Sequence, residues 1–476
     1  MIKSAVLIAA MAMLATASTV AAQGLYAALF TEKTMRVDYY HTGGGQEVFA
    51  LDQVVADGPW AGSRTQLVDT TNLGPYFFEV IDCKTNQVIY SRGFASIYGE
   101  WETTGEARQG LHRSFHESLR FPWPKQPVQV VVKKRDRANA FREAWSTVVD
   151  PASRFVNAAG LRPAGKVWTV FENGPAAVKV DLLILGDGYA EADLPKFHAD
   201  VKRMVDKLFA TEPFKSRKAD FNVRAIDLPA PQSGVNRPRT ADFRRTALGV
   251  TYNVFDSERY ALSLDNRSMR NLASQAPYDF LEILINEAQY GGGGIFNDHA
   301  TAAVDTAFAE YIFVHEFGHH FAGLGDEYYT APVSYQTGGI EERPEPWEPN
   351  VTALQDPAGL KWKDLVDPKT PLPTPWEKEA YETRSREIQA RRAALRASHA
   401  PESEMNRLFT EELNWSSPFL AGMTYSHTVG AFEGASYEPK GLYRPEADCI
   451  MFTRDEVGFC RVCQRAISRI IDLYST

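Results

Sequence analysis

The sequence predicts a multidomain chain of mixed α+β and α/β class: an N-terminal antiparallel β-sandwich, then a larger domain with helices packed on a mixed sheet. Three observations predict it. The 476 residues are too many for one compact core. Strand-like alternation dominates up to about Asp150, and beyond it buried-type strands are interleaved with helical periodicity. Hydrophobic and aromatic fractions of 44% and 12% belong to a globular protein, which removes disorder as a class.

Met1 to Ala22 reads as a secretory signal, with Lys3 as the positive start, Ala5 to Ala15 as the apolar stretch and Val20-Ala21-Ala22 as the cleavage site. No later apolar run is long enough to span a bilayer, so an exported protein, periplasmic or extracellular, is expected. The formal charge of -9 becomes -10 once Lys3 leaves, and the basic residues form no single patch, which argues against nucleic acid. In an oxidising compartment the cysteines Cys83, Cys449, Cys460 and Cys463 favour a disulfide, from Cys449 to Cys460 or Cys463. Cys460-Arg461-Val462-Cys463 also resembles half of a zinc knuckle, but the sequence shows no fourth ligand to join Cys449.

The sandwich, residues 23–150, rests on alternation in Met35-Arg36-Val37-Asp38-Tyr39, a hairpin from Tyr76–Val80 to Gln87–Tyr90 through Lys84-Thr85-Asn86, and an apolar strand at Val128–Val132. Phe141–Val149 reads as a short helix, and residues 151–165, with Pro151 and Pro163, as a linker. The second domain, 166–476, opens with a buried strand at Val178–Leu185. Gly186-Asp187-Gly188 then reads as a tight turn rather than a nucleotide loop, because the longer glycine fingerprint is missing. A helix follows near Asp193 with Pro195 in its first turn, and further strands are expected at Phe221–Leu228 and Phe280–Ile285. After an acidic, proline-rich stretch, Thr374-Pro375-Trp376-Glu377 forms a capping box for a charged helix to about Ser398, within an insertion spanning about 374–412. The first domain gathers no catalytic set. Docking or support is its expected part, possible cell-surface or glycan contact included.

The chemistry concentrates in His315-Glu316-Phe317-Gly318-His319, an H-E-x-x-H string. On a helix, a spacing of four turns both imidazoles to one face, where they can hold one Zn2+, while Glu316 beside them serves as general base to a zinc-activated water. Phe308, Tyr311, Ile312 and Val314 supply a buried face after a start near Asp305. Gly323 ends the helix and lets the chain turn back to deliver a third ligand, for which Asp326 is the candidate. His320 points off the metal face and reads as packing, and His299 and His427 carry no spacing signal.

From His315 to Tyr329 the string H-E-F-G-H-H-F-A-G-L-G-D-E-Y-Y resembles the active-site helix of the IgA peptidase family of bacterial zinc metalloendopeptidases. The likeness extends to Tyr290-Gly291-Gly292-Gly293-Gly294-Ile295 before it. Behind it come Phe432-Glu433-Gly434-Ala435, Gly441-Leu442-Tyr443-Arg444-Pro445, Cys449-Ile450-Met451 and Phe459-Cys460-Arg461-Val462-Cys463. It covers most of residues 166–476, and the β-rich first domain is similar to one that often precedes this family's catalytic domain. The resemblance implies a metzincin-like zinc peptidase domain with Met451 in a methionine turn. The chain departs from the metzincin string H-E-x-x-H-x-x-G-x-x-H/D, because Gly323 comes one residue late and the third-ligand place shifts from Gly325 to Asp326. Glu327 is the alternative ligand.

A glycine strand permits extended peptide to lie against it, which makes Gly292 and Gly293 candidates for substrate binding, and Tyr443 is a candidate oxyanion donor. The reading is a secreted zinc metalloendopeptidase acting on protein or peptide. Its rivals are an inactive adhesion or glycan-binding protein and a zinc hydrolase of non-peptide amides. The resemblance implies no particular substrate, immunoglobulin included, since specificity lies in cleft walls rather than in the family's motifs.

Overall fold

The computed structural model describes residues 23–44, 46–161, 164–331, 344–455 and 457–475. The expected signal at 1–22 lies outside them, as do residues 332–343 of the acidic, proline-rich stretch.

The N-terminal region holds strands β1 (Phe30–Gly43), β2 (Val48–Pro59), β3 (Tyr76–Asp82), β4 (Val88–Phe94), β5 (Arg113–Pro124), β6 (Val128–Arg135), β7 (Phe141–Val149) and β8 (Val156–Asn157). They form two four-stranded sheets, ordered β5-β1-β2-β8 and β4-β3-β6-β7. All pairings are antiparallel except the two-residue β2–β8 contact, which is parallel. Met35, Val37 and Tyr39 from one sheet and Tyr76, Phe78 and Val130 from the other enter one core, as two stacked sheets require. Phe141–Val149 is an edge strand on β6 and not a helix. Trp145 and the β-branched run Thr147-Val148-Val149 favour extended backbone, and the free edge of β6 supplies the partner that local sequence could not reveal. The expected linker 151–165 carries β8.

The second region is built on a six-stranded sheet of β9 (Lys166–Phe171), β10 (Val180–Asp187), β11 (Phe221–Asp227), β14 (Phe280–Ile285), β15 (Gly292–Ile295) and β16 (His299–Ala303), in the order β15-β16-β14-β10-β11-β9. Two short ribbons, β12 (Val250–Thr251) with β13 (Leu262–Ser263) and β17 (Phe432–Ala435) with β18 (Glu438–Arg444), stand outside it. The four inner strands are parallel and the two edges antiparallel. All eight residues of β10 are buried, the continuous apolar run of a strand covered on both faces. The helix Leu194–Leu208 lays Phe197, Val201, Met204 and Leu208 into this core. Asp187 closes the turn after β10 by accepting from Thr246 Oγ1 and the amides of Leu248 and Val250. That is the work of a tight turn anchoring a loop.

The charged helix runs Lys378–Ala397 and is followed by a second, Glu402–Ala421. The insertion is thus a helical hairpin, longer than expected, with Tyr381, Ile388 and Arg392 buried. Thr374 does not cap it: its hydroxyl donates to the Pro371 carbonyl and accepts from the Ala431 amide. Among the described residues no helix is long and apolar enough to cross a membrane.

The two regions meet through polar groups. Arg36 is fully buried, bonding Asp38 at 2.8 Å, Asp57 at 2.6 Å and Asn271 of the second region at 2.7 Å. The Ala95 amide donates to the Phe296 carbonyl at 2.9 Å. An Arg36→Met variant strips the buried Asp38 carboxylate of its cation and is expected to destabilise the chain by about 3–5 kcal/mol. Chemical denaturation reads this, and an unshifted midpoint would count against a structural role for the pair.

Candidate active site

The helix Ala309–Ala322 follows β16 and packs across β15 and β16. Its close approach explains the glycine run. A Cβ on Gly294 would stand 2.4 Å from the Glu316 carbonyl oxygen, and one on Gly292 would stand 2.9 Å from Ile312 Cγ2. Gly323 ends the helix at φ +60, with its amide bonded back to the His319 carbonyl at 3.0 Å, a left-handed cap that glycine adopts without strain.

Beyond this turn the chain brings Asp326 under the two imidazoles. His315 Nε2 and His319 Nε2 are 3.1 Å apart, and Asp326 Oδ1 lies 3.1 Å from the first and 3.2 Å from the second. The other ring nitrogens are committed: His315 Nδ1 donates to the Ile450 carbonyl at 2.9 Å and His319 Nδ1 to the Leu324 carbonyl at 2.5 Å. A carbonyl can only accept, so these bonds fix both neutral tautomers with bare Nε2 lone pairs. With both rings neutral, three acceptors converge with no hydrogen among them, and Asp326 Oδ1 has no hydrogen-bond partner. Such a triangle needs a cation or, in its place, a proton. Two imidazoles and a carboxylate fit a zinc ion with an open position. The carbonyls behind each ring orient the ligands as metal sites require.

Glu316 stands beside the two imidazoles, with a carboxylate oxygen within 4.8 Å of a ring nitrogen of each. The phenol of Tyr437 donates to Asp326 Oδ2, and the Ser436 amide holds the Asp326 carbonyl at 2.9 Å. Burial opposes the charge on Asp326, but the two imidazoles hold it well below the ordinary carboxylate range. Burial likewise opposes a charged His319, yet the Asp326 carboxylate outweighs it and raises His319 to about 9.

These groups lie in a cleft of about 360 Å³ whose walls come from both regions: Ser96, Glu100 and Thr103 on one side, Tyr328, Trp347 and Tyr437 on the other. Arg259 Nη2 donates to Tyr328 Oη at 2.7 Å. Phe255, Ser257 and Arg259 also line a neighbouring groove of about 1190 Å³.

Of the residues singled out by sequence, His315, Glu316, His319 and Asp326 come together. Glu327 does not join them. It turns away, fully buried, toward Cys449, Cys460 and Cys463. Met451 lies in a turn beneath the helix, where its Sδ would be 3.2 Å from a Cβ on Gly318. Tyr443 is outside the cleft lining, on a strand that exchanges backbone bonds with Thr352. Gly292 and Gly293 offer no open edge, because Arg259, Tyr260 and Ala261 already cover them. Only Gly294 reaches the cleft. The expected disulfide is not formed, and all four cysteines are free thiols. His320 packs as expected, with Nδ1 on the Ile295 carbonyl and Nε2 accepting from the Leu281 amide. Sequence reasoning missed Arg259, Tyr328 and Tyr437. Tyr328 stood next to the acidic pair, but Tyr437 is 111 residues from Asp326 and had no local signal.

The family described as IgA Peptidase M64 matches residues 169–471, and that described as Peptidase M64 N-terminus matches residues 26–146. A search of curated proteins gave no match.

Without a bound cation His319 carries a proton at neutral pH, because neutral pH lies below its value of about 9. Metal uptake near pH 7 should therefore displace about one proton from it, with the release fading as pH passes 9. Calorimetry in buffers of different ionisation enthalpy measures this, and a release independent of pH across that window would contradict the assignment.

Proposed function

Because the chain belongs to the IgA peptidase M64 family, a family of metallopeptidases, we propose that it is an exported zinc-dependent metalloendopeptidase with a metzincin-like catalytic domain. The observation that carries this reading is the convergence of two bare imidazole nitrogens and one orphan carboxylate oxygen beside Glu316 in an open cleft. His315, His319 and Asp326 would hold the ion. When bound, zinc acts as a Lewis acid that polarises a carbonyl and acidifies water.

The remaining chemistry belongs to the chain. Glu316 takes the proton of the attacking water and delivers it to the leaving amine, a task that requires it to stay off the ligand triangle. Tyr328 is held by Arg259 and is raised above the usual phenol range, first by burial. It keeps its proton and can donate to the oxyanion as the carbonyl carbon becomes tetrahedral. This is the part that the sequence had suggested for Tyr443. Tyr437 orients the carboxylate of Asp326. The turn at Met451 supports the floor, and its neighbour Ile450 fixes the His315 ring.

The shared wall residues Phe255, Ser257 and Arg259 link the cleft to the larger groove, which suits a polypeptide better than a small amide. Glu316 in place beside the triangle has no use in a binding-only protein. The first domain's described residues build a cleft wall, and no glycan role enters this reading.

Glu316→Gln should lower peptide hydrolysis by roughly 10²–10⁴-fold with zinc content unchanged. Tyr328→Phe should lower kcat by roughly 10²–10³-fold with little change in KM. Cleavage-site profiling in a mixed proteome, with and without chelator, tests the whole reading; cleavage indifferent to both chelator and Glu316→Gln would overturn it.

A further inference from the structure

We infer that Cys449, Cys460, Cys463 and Glu327 form a second, structural zinc site, separate from the histidine cleft. One ligand atom from each lies within 4.8 Å of every other, and all four residues are buried. Cys449 Sγ is 3.9 Å from Cys463 Sγ, which is 3.5 Å from Glu327 Oε1. Tetrahedral zinc with bonds of about 2.3 Å to sulfur and about 2.0 Å to oxygen has sulfur–sulfur edges of about 3.8 Å and sulfur–oxygen edges of about 3.5 Å. The Cys449–Cys463 and Cys463–Glu327 edges already match these lengths.

Two further features point to an ion. Glu327 Oε2 is buried without a hydrogen-bond partner, while Oε1 accepts from Asn350 Nδ2 at 2.9 Å. A buried carboxylate with one unpartnered oxygen is expensive unless a cation or a proton meets it. Two of the three sulfurs also accept backbone amides. The Cys460 amide donates to Cys449 Sγ at 3.3 Å, and the Cys463 amide to Cys460 Sγ at 3.5 Å. Cys460 caps the helix Arg461–Tyr474, whose positive end favours negative charge. A disulfide would consume two thiols and strand the third with the acid, whereas zinc uses all four groups and releases the thiol protons to solvent. Three soft thiolates and one carboxylate in this geometry select zinc over the hard, octahedral cations. The buried Arg444 lies within electrostatic range of Glu327 and offsets the anionic excess.

The site ties parts of the cleft together from behind. Glu327 follows Asp326, and its amide donates to the Met451 carbonyl at 2.8 Å. The ion would pin the segment carrying Asp326 to the C-terminal helix and to the turn whose Ile450 carbonyl holds His315.

The test is zinc content of the full chain by elemental analysis and native mass spectrometry, with thiols counted after denaturation in chelator without reductant. Wild type should hold two zinc ions and show four reactive thiols. His315→Ala/His319→Ala, which leaves the cluster intact, should retain one ion. Cys463→Ser should lose the ion that the histidine variant keeps. Cobalt substitution should give a thiolate-to-metal charge-transfer band in wild type and in the histidine variant, but not in Cys463→Ser. No zinc in the histidine variant, or only two reactive thiols with a mass two hydrogens lower, overturns the proposal. If instead the cleft reading fails, wild type holds a single ion that survives the histidine variant, so the two failures are distinguishable. Should Cys463→Ser not fold, the histidine variant and the wild-type thiol count still decide.

Discussion

Two imidazole nitrogens and a carboxylate oxygen lie within 3.2 Å of one another, and with both rings neutral they repel unless a cation or a proton sits among them. Much of the surrounding fold restrains that repulsion. Ile450 and Leu324 lend carbonyls to the far side of each ring, so neither can rotate away without losing a buried bond. Gly323 supplies the left-handed turn that sends the chain back under the helix, and Tyr437 with Ser436 clamps Asp326 from a distant hairpin. The preorganisation is thus distributed over the helix, the turn at residues 449–452 and the ribbon of β17 and β18.

The site was legible where chemistry follows from local spacing. The four-residue interval of His315 and His319, the flanking Glu316 and the helix stop at Gly323 can each be read from a short window. The buried runs of β10 and β14 were legible for the same reason. What escaped depends on long-range pairing. Phe141–Val149 becomes a strand only because β6 offers an edge, and Thr374 serves Ala431 instead of a helix end. Gly292 and Gly293 looked like a surface for substrate, but the smallness of Gly292 and Gly294 serves the helix crossing behind them and that of Gly293 makes room for Tyr260. The Cys-x-x-Cys pair with Cys449 looked incomplete because the fourth group of the cluster, Glu327, comes from a distant segment of the chain.

The N-terminal sheets have a larger part in the site than their lack of catalytic residues suggested. Ile97, Tyr98 and Trp101 enter the same core as the active-site helix, and the polar contacts of Arg36 and Ala95 hold the two regions in register. A domain fixed in this way acts as a wall of the cleft, and the match of its own family to residues 26–146 belongs with that arrangement.

One consequence concerns the substrate. The short helix Ile97–Glu102 and its flanks contribute Ser96, Glu100 and Thr103 to the same cleft as Trp347, Tyr437 and the two histidines, so the cleft is shared between the two regions. A bound peptide would therefore touch side chains of both regions at once.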